Sequence, residues 1–420
     1  YKKGVKKMER IEFIKAYEIF DSRGNPTVQV KIVTNNGITG YACVPSGAST
    51  GAYEAHELRD KDTQVLGGKG VKKAVKNVND LIAPALKNLC VSNQEKIDRI
   101  MLELDKSTSK SRLGANAILG VSLAAARTAA NCYNMPLYRY LGGANARIMP
   151  RPMMNILNGG AHATNNIDIQ EFMITPVKAE NFRESMRICT EIYHKLESIL
   201  NSKGLSTAVG DEGGFAPDLA NDEEAIEYIL EAVNVAGYTT DEVKICLDAA
   251  TSEWRNKNGM YVMPKRKKEF DSDSLIGMWQ ELIKKYPIIS IEDPLSEDDF
   301  DGFKNMTTLL GEKIQIVGDD LFVTNEKRLQ KGIKMSAANS ILIKPNQIGT
   351  LSETLSVIRR GQKAGFSCVI SHRSGETEDT FISDLAVGVN AGQIKTGAPC
   401  RSERVAKYNR LLIIEEEMNK

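Results

Sequence analysis

KICLD (244–248), IISIED (288–293), IQIVGDD (314–320), SILIKPN (340–346), SCVISHR (367–373) and GQIKTGA (392–398) share one pattern: a short apolar run that stops at a polar or charged residue. Each run is too short for a helix and suits a strand buried on both faces. The runs carry Asp248, Glu292, Asp319, Lys344, His372 and Lys395 at or near their ends. Successive groups lie 23 to 44 residues apart, which leaves room for a crossover helix and two loops. Parallel strands joined by helices present their C-terminal ends together, and in a βα barrel that face carries the chemistry. A doubly wound open sheet is the competing architecture, but it gathers ligands at one switch point and leaves most strand ends structural. Six chemically equipped ends therefore predict an α/β fold built on a barrel.

Upstream, the regular repeat breaks down. The runs at 153–157 and 169–174 are separated by only 11 residues rich in Gly and Asn, too few for a crossover helix, so these two strands should pair antiparallel. Helical stretches at 180–200 and 223–236 follow. The expected barrel is an irregular ββαα(βα)6 variant of the (β/α)8 form, over residues 144–420. Before it, 11–46 alternates apolar and polar residues around Asn36-Gly37, which suits a type I′ hairpin. Apolar residues at helical spacing from Val71 to Leu86, and an Ala-rich helix over 113–131, complete an α+β N-terminal domain spanning 11–143. Residues 1–10 read as an N-terminal extension or a tag remnant.

The 420 residues are 42 % hydrophobic and 26 % charged, which excludes a disordered or fibrous chain. A net charge of +1 gives no long-range field for nucleic acid or an anionic membrane, so an anion site must be local. The basic run 265–268 reads as a solvated loop. Seven scattered cysteines without a CxxC pair fit buried thiols in a reducing compartment rather than a disulfide or zinc framework. No stretch is long enough for a membrane span, and no apolar leader follows Tyr1 to Lys7, so the cytoplasm is the expected location.

Asp248, Glu292 and Asp319 end consecutive strands. Singly, each could be a surface carboxylate or a helix N-cap, but three together would repel one another and raise their pKa values unless a hard cation joined them. Few carboxylates plus water suit Mg²⁺. Lys344 and Lys395 end later strands. A lysine beside a cation and a second ammonium loses basicity and becomes available as a neutral base, which suits proton abstraction next to a carboxylate. Glu212 sits among Gly210, Gly213 and Gly214 in GDEGGFAP, a loop that is either a mere turn or a close approach to a ligand. Glu171 and His162 lie near the ends of the first two strands. His162 and His372 are two of only four histidines, both in Gly/Ser-rich polar loops. Arg373, flanked by Ser371 and Ser374, offers a forked donor beside hydroxyls, which equips it for one phosphate. No nucleotide-binding glycine motif occurs, so a small phosphorylated acid is the preferred substrate.

The segments DSRGNPTV (21–28), VPSGASTG (44–51), LGANAILGVS (113–122), GDEGG (210–214), SIEDP (290–294), SHRSGETEDT (371–380) and IKTGAPCRSER (394–404) closely resemble the enolase family, in order and over about residues 11–417. GGAHATNNIDIQEF (159–172) leans toward the bacterial form. The resemblance implies reversible Mg²⁺-dependent dehydration of 2-phosphoglycerate to phosphoenolpyruvate; a lysine base with Mg²⁺ is the known pairing in that superfamily. It implies Lys344 as the C2 base and Glu212 as the acid, assisted by Glu171, with Gln170 at the substrate. Asp248, Glu292 and Asp319 would bind a first Mg²⁺ and Ser49 a second. Arg373 and Ser374 would grip phosphate, and Lys395 would meet the substrate carboxylate. His162 would close over the ligand, with His372 at the catalytic face and Ala48 in the mobile substrate loop. A homodimer or octamer is expected. Other readings are a different acid dehydratase or racemase, or a non-catalytic surface scaffold whose terminal Lys420 engages a plasminogen-like, lysine-recognising partner.

Overall fold

The computed structural model describes residues 9–47 and 51–419; Ala48, Ser49, Lys420 and residues 1–8 of the expected extension lie outside them. The N-terminal part is a three-stranded antiparallel sheet of β1 (Ile11–Phe20), β2 (Pro26–Thr34) and β3 (Thr39–Cys43). Alternation buries Val28, Val30 and Ile32 completely against the helices. The Asn-Gly pair does turn the chain, but not as the expected type I′ hairpin, which needs φ > 0 at both central residues. Gly37 donates to the Thr34 carbonyl at 2.8 Å, and it alone of the pair has positive φ, at 79°. Gly37 is therefore the bulge residue after an ordinary turn, a three-residue solution that equally preserves strand twist.

The helical pattern from Val71 forms α1 (Lys72–Asn77), a π-turn at Val78–Ile82 and α2 (Ala83–Leu86). Next come α3 (Gln94–Asp105), α4 (Ala115–Cys132) and α5 (Leu137–Gly142). Small residues along α4 let it lie close on β2 and β3, so nearly the whole helix is buried.

The second part is a closed eight-stranded barrel. It runs β4 (Arg151–Asn158), β5 (Glu171–Pro176), α6 (Phe182–Ser202), α7 (Asp222–Val235) and β6 (Val243–Asp248). A small hairpin of two-residue strands, β7 (Tyr261–Val262) and β8 (Glu269–Phe270), leads into α8 (Ser272–Lys285) and β9 (Ile288–Glu292). Then follow α9 (Phe300–Leu310), β10 (Gln315–Gly318), α10 (Glu326–Met335) and β11 (Ser340–Ile343). The chain ends with α11 (Pro345–Ile348), α12 (Leu351–Lys363), β12 (Ser367–Ser371), α13 (Phe381–Gly388), β13 (Gly392–Lys395) and α14 (Ser402–Met418). Around the barrel the order is β4, β5, β6, β9, β10, β11, β12, β13, closing on β4.

As the short 158–168 gap requires, β4 and β5 pair antiparallel, and so do β5 and β6; the other neighbours are parallel. Glu171 is consequently the first residue of its strand yet lies in register with Asp248, which faces Glu292. Met153, Met173, Cys246, Val317, Leu342 and Val369 fill the barrel interior. Below them Gln315 Nε2 lies 2.7–3.0 Å from Ser340 Oγ, Ser367 Oγ and Gln393 Oε1, a polar cluster that plugs the lower end, while the strand-end charges gather at the upper end. None of the seven cysteines is joined to another in a disulfide. Among the described residues no helix is long and apolar enough to cross a membrane.

Candidate active site

At the upper mouth the strand-end groups converge on one pocket lined by Glu171, Glu212, Asp248, Asp319, Lys344, Arg373 and Lys395 among others. Lys395, only 2 % exposed, is held by three carboxylates: Asp248 Oδ2 at 2.8 Å, Glu292 Oε1 at 2.9 Å and Glu171 Oε1 at 3.1 Å. Burial opposes its charge, but these partners outweigh that and hold the ammonium well above its ordinary pKa. Burial also raises Glu292 well above the carboxylate range, reinforced by Asp248. For Asp248 burial acts in the same upward sense, yet Lys395 prevails and the net direction is down.

Lys344 Nζ lies 2.5 Å from Asp319 Oδ2, while Gln347 Nε2 donates to the other Asp319 oxygen at 2.8 Å. The sequence reading expects Lys344 to be depressed beside a bound cation; without one, its direction is set by the protein groups alone. Burial and the charges of Arg373 and Lys395 do push it down, but the touching Asp319 carboxylate wins and raises it. The donor set nevertheless fits a hard cation. Glu292 Oε2 and Glu171 Oε2 are buried without a hydrogen-bond partner, and Asp293, Asp319 and Asp320 each bring an oxygen within 4.8 Å of the others. Asp293 also accepts from the amides of Asp319 and Asp320 at 2.9 and 2.8 Å, which fixes that strand end. Burial, then Asp319, push Asp320 up to about 8.

Across the mouth stands Glu212, on the loop between α6 and α7. Gly213 has φ +89°, and a Cβ there would meet Cys400 Sγ at 2.8 Å, so glycine is required next to Glu212. The Glu212 carbonyl accepts from the Ala398 amide at 2.9 Å and Asn155 Nδ2 donates to its carboxylate at 3.1 Å. Oxygens of Glu212 and Glu171 and a nitrogen of His162 lie within 4.8 Å of one another. Burial and the facing Glu212 carboxylate raise Glu171 well above its usual range, whereas for Glu212 the upward effect of burial is outweighed by the facing His372 and the net direction is down. His372 Nε2 is 3.4 Å from Glu212, while its Nδ1 meets Arg404 Nη1 at 2.7 Å. Burial lowers the His372 pKa to about 3. The ring is therefore neutral, and because guanidinium can only donate, its proton belongs on Nε2, facing Glu212.

Gln170 Nε2 reaches Asp248 at 3.4 Å, and Ser371, Arg373 and Ser374 complete the rim. Of the expected site residues, Lys344, Glu212, Glu171, His162, His372, Gln170, Arg373, Ser374, Ser371 and Lys395 line this one pocket with Asp248 and Asp319; Glu292 joins them through Lys395. Ser49 and Ala48 lie outside the described residues. Sequence reasoning missed Glu54, Gln347, Arg404, Asp293 and Asp320. Asp293 and Asp320 stand beside Glu292 and Asp319 in the IISIED and GDD runs and could have been read from them; Glu54, Gln347 and Arg404 act through contacts that no local pattern announces.

Two family models match the chain: "Enolase, N-terminal domain" over residues 11–141 and "Enolase, C-terminal TIM barrel domain" over residues 146–420.

Proposed function

The chain belongs to the enolase family, metal-dependent lyase-type enzymes, and on that premise we propose that its reaction is the reversible dehydration of 2-phosphoglycerate to phosphoenolpyruvate and water, a step of glycolysis and gluconeogenesis. The observation that carries this reading is the placement of two unlike proton-handling groups around one pocket: Lys344 on Asp319, and the facing carboxyls of Glu212 and Glu171. One removes a proton and the other delivers one, as an elimination with a poor leaving group demands.

Asp248, Glu292 and Asp319 would hold one Mg²⁺ in this reading and Ser49 a second, and such ions would supply positive charge against the substrate's anionic groups. Lys344 takes the C2 proton on Nζ, which requires the Asp319 charge to be engaged elsewhere. Lys395 keeps its proton and meets the substrate carboxylate, opposing the charge that develops at C2. Glu212 protonates the departing C3 hydroxyl and is resupplied from Glu171. The His372 Nε2–H orients Glu212, and His162 covers the pair from the 159–168 loop. Arg373, Ser374 and Ser371 hold the phosphate, and Gln170 and Ala48 line the substrate. We further propose a cytoplasmic homodimer or octamer.

The test is the ultraviolet absorbance of the enol phosphate after addition of 2-phosphoglycerate, with and without Mg²⁺. A rise that depends on Mg²⁺ and vanishes with EDTA is the expected result. A folded, Mg²⁺-loaded protein that gives no rise would reject the proposed substrate.

A further inference from the structure

Arg404 has no step in the proposed reaction and does not line the pocket, yet it is completely buried in the first turn of α14, with its guanidinium among residues that do line it. Its Nη1 donates to His372 Nδ1 at 2.7 Å and to the Arg373 carbonyl at 2.6 Å; its Nη2 donates to the Ser374 carbonyl at 2.7 Å and to the Asp211 carbonyl at 3.0 Å. These partners come from two segments: 372–374, which carries the proposed phosphate donors, and the residue just before the proposed acid. The Arg373 side chain is held separately, by Glu54 at 2.9 and 3.1 Å, so Arg404 governs the backbone there. The stem is fitted as closely as the head. Gly397 has φ +87°, and a Cβ on it would lie 2.8 Å from both Arg404 Cδ and the Glu212 carbonyl oxygen. Glu403 Oε1 lies 3.4 Å from Arg404 Nε but is itself bonded to Arg401 Nε at 2.7 Å. A buried charge that serves packing alone can be replaced by an apolar side chain of like volume, often without loss of stability. What such a side chain cannot supply is the fork of donors.

We propose that Arg404 is a positioning residue for the acid half of the site: it holds His372 in the Nε2–H form that donates to Glu212, and it ties the phosphate-binding segment to the loop that carries Glu212. The proposal rests on Glu212 being the acid. A guanidinium keeps its charge and can only donate, so His372 Nδ1 has to accept and the one proton of the neutral ring stays on Nε2. A ring protonated on Nδ1 would instead turn a lone pair toward the Glu212 carboxylate and repel it. The same planar group bonds the carbonyls of Arg373, Ser374 and Asp211, so an adjustment of 372–374 to a bound phosphate carries the acid's loop with it. Lysine would keep the charge and a donor for Nδ1, but its single nitrogen cannot reproduce the rigid fork that spans both segments.

The test is nuclear magnetic resonance of the Mg²⁺-loaded full chain labelled with nitrogen-15 at histidine. The chain has only four histidines, so His372→Gln assigns the ring signals of His372. Wild type should carry the proton on Nε2 with Nδ1 bare, and Arg404→Met, which keeps the bulk and removes the donors, should lose that preference. With 2-phosphoglycerate at saturation, Arg404→Met should lower kcat for dehydration about a hundredfold, the scale of impaired general-acid help. Exchange of the C2 proton with solvent should stay within about threefold of wild type, because that step belongs to Lys344. Arg404→Lys should restore the Nε2–H form and recover about tenfold of the lost dehydration rate. A wild-type His372 that carries its proton on Nδ1 overturns the proposal without any variant, even if Arg404→Met does not fold. So does a folded Arg404→Met that keeps the Nε2–H form, or one that loses exchange and dehydration equally, which would make Arg404 a structural residue. A wild type that leaves 2-phosphoglycerate untouched rejects the proposed substrate instead, and the tautomer difference between wild type and Arg404→Met still decides the role of Arg404.

Discussion

At Lys344, charge state follows its neighbour rather than its depth. Burial alone would favour the neutral amine, and Asp319 at 2.5 Å reverses that. Lys344→Ala should therefore abolish exchange of the substrate C2 proton with solvent and lower kcat by about three to four orders of magnitude, the upper range for losing a general base. Glu212→Gln should spare that exchange while stopping dehydration; equal loss of both in the Glu212 variant would contradict the division of labour. His372 gives a pH prediction. Its pKa falls from 6.5 to about 3 on folding, so between those values the unfolded chain binds more protons than the native one. Stability then rises with pH over that interval, is fully present above about pH 6.5, and drains away as pH falls toward 3. Urea titrations from pH 7 to 4 should show this slope, and His372→Gln should flatten it. The strand-end residues of the site were legible in sequence because an apolar run that stops at a charge fixes both strand and mouth. Glu54 and Arg404 were not: their importance comes from side chains brought together across the fold, which periodicity cannot carry.

Helix and strand order explains how Glu212 reaches the mouth. Because β5 runs opposite to its neighbours, the chain leaves it at the sealed end, and β6 must also begin there. An even number of helices is needed to go up and return. α6 and α7 supply them, and their turn at the upper face is the GDEGG loop. The 11-residue gap before β5 made this reversal readable, whereas the π-turn inside the 72–86 helix and the bulge at Gly37 were not, since each depends on one local hydrogen-bond register. The return helix begins at Asn221, whose side chain accepts from the Glu224 amide at 2.8 Å. Asn221→Ala should cost about 1 kcal/mol in urea denaturation, the usual loss for a helix cap. Asp222, the next residue, accepts from the Asp168 and Ile169 amides at 2.9 and 3.0 Å and so pins the approach to Gln170 and Glu171.

Over the whole molecule, the N-terminal part and the barrel are joined by buried polar contacts as well as packing. Arg127 on α4 grips both oxygens of Asp379, at 2.9 and 2.8 Å, and Asp379 also accepts from the Cys43 amide at 2.8 Å. Ser46 and Gly375 exchange backbone hydrogen bonds across the same seam at 2.8 Å. Arg127→Ala strands a largely buried carboxylate and should cost about 3 kcal/mol, seen as a lower denaturation midpoint. If the two parts unfold together, one transition should remain in wild type and split in this variant.

The reversed strand has a further consequence. In a regular barrel the groups at the mouth come from strand ends and from the loops that each join one strand to its own helix. Here the proposed acid rides on the long loop between two helices, tied down by the Phe215 and Ile156 backbones at 3.0 Å and by the Ala398 amide. The proton-delivering half of the site is in that sense an exchangeable cassette: loops of other lengths and acidities could be spliced between α6 and α7 while the cation-binding strands keep their places.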